Sequence, residues 1–187
     1  MNKKIMGLLL LAVMFLCVSS GFAQSGFFLG IQGGFSAQKP SLKDIEFNTN
    51  MTFLYGLRAG VKIWMVAVEV NFFQAAHNME LKEVLTFDWQ GRRVDYNFIG
   101  GNLKYFFPLA IFHPYVSFGY GCYTADLFEI DKDTDRGYNV GAGIEIHLGK
   151  KISILAEGRY HRVKLEIDER DLRIGDFTFV GGFSFYL

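Results

Sequence analysis

Two cysteines, three prolines and no surplus of either charge set the first limits on this 187-residue chain. Cys17 lies in an N-terminal leader, which leaves Cys122 alone, so no intrachain disulfide can staple the remainder. Basic and acidic residues balance at 19 each, and nothing in that balance suggests nucleic-acid binding. Long apolar runs are also missing. The longest, residues 5–18, falls short of the roughly 20 residues that span a bilayer as a helix. What the chain has in plenty is glycine, 21 residues, and phenylalanine, 20 residues. Its length predicts a single domain.

The opening stretch "MNKKIMGLLLLAVMFLCVSSGFAQ" accounts for the apolar run. Lys3 and Lys4 precede it, and Gly21 and Ala23 supply the small side chains a signal peptidase accepts. Residues 1–23 are therefore expected to be a cleaved secretory signal peptide, with residues 24–187 forming the domain. Met14, Phe15 and Leu16 ahead of Cys17 are too large for a lipoprotein signal. Removing Lys3 and Lys4 leaves 17 basic residues (19 − 2) against 19 acidic, a net charge of −2.

Beyond the leader the chain alternates with period two, the signature of strands with two unlike faces. In "GYNVGAGIEIHLG", Tyr138, Val140, Ala142, Ile144 and Ile146 share one face, and Asn139, Gly141, Gly143 and Glu145 the other. Eight such runs are predicted, at 26–36, 52–63, 66–77, 94–107, 114–124, 137–148, 151–162 and 175–187. Connections alternate long and short, so all long loops leave at one end, and they hold most of the charges. The second face is mostly Gly, Ser and Asn, too small and sparsely charged to meet water, and it fits a crowded interior. The apolar face is too aromatic for the inside of a narrow barrel. Runs of about ten residues, tilted near 40°, span roughly 25 Å, the height of a lipid-facing band. Backbone groups in hydrocarbon need partners, so the sheet must close. The fold class is accordingly all-β, an eight-stranded antiparallel up-and-down transmembrane β-barrel.

With its leader, its eight runs, the segment "YFFPLAIFHPYVSFGYG" and its aromatic C-terminus, the chain resembles the outer-membrane β-barrel domain family. That group includes the small eight-stranded barrels of the OmpA transmembrane domain and OmpX. The resemblance implies the outer membrane of a Gram-negative bacterium, and no single activity. It also implies an assembly signal read by the barrel-assembly machinery, here Gly182, Phe185 and Leu187, although a family member would end on Phe where this chain has Leu187. Implied partners are outer-membrane lipid and lipopolysaccharide, with periplasmic chaperones and the assembly machinery during biogenesis. The barrel is expected to be a monomer.

Inside the barrel the predicted charges nearly balance: Arg58, Lys62, Lys104 and Arg159 against Glu69, Glu145 and Glu157. Unpaired charge there is costly, so these seven are expected to form an ion-pair network that plugs the lumen. The turn at Trp64–Met65 sets Arg58 and Lys62 on either side of Glu69. Two other functions compete: a narrow, porin-like pore and a lipid-modifying enzyme. For the enzyme, His161 is expected near the outer rim with Glu157 and Arg159 on its face, but Ser117, Ser153 and Ser184 have no evident place beside it, so no catalytic residue is assigned. Asp131, Asp133 and Asp135 resemble a calcium loop, yet Arg136 and Ala142 stand where an EF-hand needs Gly and Glu. No metal or cofactor site is assigned. The connection "AHNMELKEVLTFDWQGRR" has a hairpin pattern and hints at strand addition by a protein partner.

Overall fold

In the computed structural model, residues 25–42, 45–46, 51–78, 93–107, 109, 112–127, 131–167 and 170–187 are described. The expected signal peptide and the centre of the second long connection lie outside them. Eight long strands follow one another: β1 (Gly26–Leu42), β2 (Met51–Ile63), β3 (Val66–Asn78), β4 (Arg93–Phe106), β5 (Phe112–Leu127), β6 (Asp131–His147), β7 (Ile152–Ile167) and β8 (Arg170–Tyr186). A two-residue stub, Ile45–Glu46, pairs with the end of β1. Every strand is antiparallel to the next, and β1 pairs with β8, so the sheet closes on itself.

Following the ladders from Gly30 to Arg58, Asn71, Gly100, Gly121, Gly137, Val163 and Ile174 returns to β1 at Pro40, ten residues on (40 − 30). With strands about 4.8 Å apart and a rise of about 3.3 Å, that stagger gives a tilt of about 40° and a backbone radius of about 8 Å. Such a cylinder leaves room for side chains and little else.

Alternation assigns the faces. Phe27, Leu29, Ile31, Phe53, Tyr55, Leu57, Phe179 and Phe183 point outward and are exposed, while Arg58, Glu69, Lys104 and Glu157 are buried inside. A continuous aromatic and aliphatic surface of this kind suits hydrocarbon rather than water. Leu155, which breaks the alternation of β7, faces inward and is buried. Trp64 takes a positive φ of 55° in the tight turn between β2 and β3.

The structure corrects the expected loop lengths. The segments after the fifth and seventh runs are not long loops: β5 continues to Leu127 and β6 begins at Asp131, and β7 runs to Ile167 with β8 starting at Arg170. Outside the bilayer neither face is under apolar pressure, so the period-two signal fades there while backbone pairing carries on.

Candidate functional site

The lumen gathers the polar chemistry of the molecule, and it does so in three tiers. The middle tier rests on Lys104 of β4, whose Nζ lies 3.0 Å from Glu69 Oε2 and 3.2 Å from Glu157 Oε2. Arg159 of β7 donates to Glu157 Oε1 through Nε at 3.0 Å and Nη2 at 2.7 Å, and its Nη2 lies 3.9 Å from Glu69 Oε1. Arg58 of β2 is 3.5 Å from Glu69 and also donates to Ser184 Oγ. Glu157 further accepts from Tyr115 at 3.0 Å and Ser117 at 2.9 Å. Asn71 donates to Glu69 at 3.4 Å and accepts from Gln32 at 2.9 Å. Three cations thus enclose two carboxylates drawn from β3 and β7.

The tier towards the short turns is built on Lys62 and Glu145, which meet at 2.9 Å. Ser153 and Tyr186 donate to the other oxygen of Glu145, at 2.5 and 2.8 Å. Lys62 also stands over the Phe106 ring, 3.7 Å from its centroid, and 3.3 Å from His147 Nε2. His113 and His147 have ring centroids 5.0 Å apart. Here the pairing differs from the sequence expectation. Lys62 follows Arg58 around Glu69 along the β2–β3 hairpin, yet its amine crosses the lumen to β6.

Towards the long-loop end the lumen is closed by rings. Phe73, Phe98, Tyr123 and His161 pack at centroid distances of 4.6 to 5.8 Å, with Tyr96 stacked on Tyr123 at 5.9 Å. His161 is 1% exposed and sits between the Tyr123 hydroxyl at 2.9 Å and Thr178 Oγ1 at 3.2 Å. It is therefore a buried member of this tier, away from the rim where the sequence suggested it, and Ser117 turns to Glu157 instead of to it. Behind it, Ser36 donates to Asp176 at 2.6 Å. This aromatic tier was missed in the sequence, although counting by twos from Asn102 and Lys104 places Tyr96 and Phe98 on the inner face.

All seven charged residues expected in the lumen are buried, and each lies within 4 Å of an opposite charge. The structure divides them into two groups, five in the middle tier and two below. Gly182 of β8 faces Gln32 of β1, while Phe185 and Leu187 point outward at the short-turn end. Asp131, Asp133 and Asp135 occupy alternate positions along a strand, not a calcium-binding loop. Among the described residues, no three His, Cys, Asp or Glu side chains converge as metal ligands. A depression of about 720 Å³ lies on the outward face, among Leu29, Ile31, Leu57, Ala59, Phe72 and Phe183.

Known proteins share this architecture. Neisserial surface protein A superposes with a TM-score of 0.63 at 17% identity, covering 87% of this chain and 98% of that one. Ail, the attachment invasion locus protein of Yersinia pestis, gives 0.51 at 16% identity over 89% and 99% of the two chains. The N-terminal β-barrel domain of Pseudomonas aeruginosa OprF gives 0.51 at 14% identity over 88% and 100%. At these identities the likeness is one of fold. No curated protein matches the sequence. The model of the outer membrane protein beta-barrel domain matches residues 8–185, and with that match, the closed eight-stranded barrel and its lipid-facing surface, the chain belongs to the outer membrane protein beta-barrel domain family.

Proposed function

We propose that this protein is a non-conducting, non-enzymatic outer-membrane barrel whose work is structural or is done by its outer surface. The observation that carries this reading is the middle tier, where Lys104 and Arg159 hold Glu69 and Glu157 across the lumen. With a backbone radius of about 8 Å, side chains linked in this way fill the section an ion would have to cross. The aromatic tier above adds a second block. Two of the similar proteins are named for the surface and for attachment, which accords with a surface role without assigning a partner. Outer-membrane lipid and lipopolysaccharide are its surroundings in this reading. Export by the leader at 1–23, monomeric assembly and recognition of Gly182, Phe185 and Leu187 by the assembly machinery belong to the same proposal.

Planar-bilayer recording of the purified protein tests the plug. The expected record is silent or shows brief, small openings. Stable, long-lived channels would replace this reading with the narrow pore.

A further inference from the structure

The outward surface changes character just above its aromatic band. Tyr160 and Phe177, directly opposite each other on β7 and β8, are exposed on the lipid side. The next outward row runs Tyr138, Arg162 and Gly175 across β6, β7 and β8. One row higher on β7 stands Lys164. Arg162 and Lys164 are exposed, as is Arg136 on β6. Among the described residues none of these three takes part in an ion pair.

Two details of the backbone shape this patch. The β6–β7 ladder ends at Gly137↔Val163, and above it the two strands share no further pair, so Arg136 and Lys164 stand on the two sides of the parting. Beside Arg162, Gly175 has no side chain, and the Tyr160 ring covers the space one would take. A Cβ there would lie 2.9 Å from the Tyr160 hydroxyl, which leans over it. The Tyr160 hydroxyl is thus held over Gly175, the ladder partner of Arg162, and Lys164 follows Arg162 about 6.6 Å further along the strand.

What meets this outward patch at this height is set by the membrane. Tyrosines mark the headgroup level, the short turns place the opposite end in the periplasm, and the layer abutting the patch is the outer-leaflet headgroup zone. Guanidinium and ammonium groups there suit phosphate oxygens. We propose that Arg136, Arg162, Lys164 and the Tyr160 hydroxyl bind the headgroup phosphate of a phosphorylated glycolipid. This rests on the outer-membrane reading above and sharpens its lipid partner to one face and one chemical group.

The test is binding of lipid A to purified protein in neutral detergent, followed by native mass spectrometry, with phosphorylated and dephosphorylated lipid A as probes. The phosphorylated form should bind more tightly. R162A should weaken it about fivefold, and R162A/K164A roughly 25-fold, from about 1 kcal/mol per cation at a membrane surface. Y160F, which removes the hydroxyl and leaves charge alone, should also weaken it. K151A, at the periplasmic end, should not. Equal binding of the two lipids, or unchanged binding by both R162A/K164A and Y160F, would overturn the proposal. Heat-modifiable gel mobility is measured in parallel. Its absence in the wild type would instead overturn the barrel reading on which the site depends.

Discussion

Glu157 is the residue on which the middle of the barrel turns. Its carboxylate is 1% exposed and accepts five hydrogen bonds, two from Arg159 and one each from Lys104, Tyr115 and Ser117. In Glu157→Ala, Arg159 keeps only Glu69 at 3.9 Å, and Lys104 keeps Glu69 at 3.0 Å. Breaking a buried pair costs about 3–5 kcal/mol, and two stranded hydroxyl donors add about 1 kcal/mol each. Water entering the vacated space offsets part of this, leaving an expected loss of about 4 kcal/mol. Glu157→Gln keeps the volume and one acceptor, and should lose roughly half as much. The assay is reversible urea unfolding in phospholipid vesicles, followed by tryptophan fluorescence and by the gel shift of the folded barrel. A Glu157→Ala protein within about 0.5 kcal/mol of wild type would refute the view that this network holds the lumen together.

Three further outcomes are expected. A Cβ at Gly34 would lie 2.0 Å from the Phe179 carbonyl oxygen across the β1–β8 seam, whereas one at Gly101 meets nothing within 4 Å. Gly34→Ala should therefore lower the folded yield in the gel-shift assay, and Gly101→Ala should not. Lys62→Ala leaves Glu145 buried with only neutral donors and should cost about 3 kcal/mol, while Lys62→Met combined with Glu145→Leu should recover most of it in the same urea titration. A cysteine introduced as Phe118→Cys on the outward side of β5, with Cys122→Ser, should react in vesicles with a lipid-soluble maleimide and resist a charged one. Labelling by both reagents alike would place that face in water.

How much of this was written in the sequence follows from which forces act locally. Lipid imposes one requirement on every outward position, so Phe27, Leu57 and Phe183 could be assigned by counting in twos. The inner charges were legible for the same reason, because Arg58, Glu69 and Glu157 interrupt the Gly and Ser of the opposite face. Their partners were not. Lys62 reaches Glu145 because closure sets β6 opposite β2 and the stagger brings the two residues level, and stagger is a property of all eight ladders at once. His161 was placed at the rim because the sequence does not tell where the membrane ends along β7, nor that Phe73, Phe98 and Tyr123 would close over it.

The seam between β1 and β8 has a consequence for the order of events in the cell. It joins Phe28 to Tyr186, residues separated by almost the whole domain. Until β8 is available, both edges of the growing sheet carry unpaired amides and carbonyls, each worth several kcal/mol in hydrocarbon. A nascent or truncated chain therefore has no tolerable resting place in the bilayer, however apolar its finished strands. Spontaneous insertion is therefore unfavourable until the last strand is made and can pair with the first.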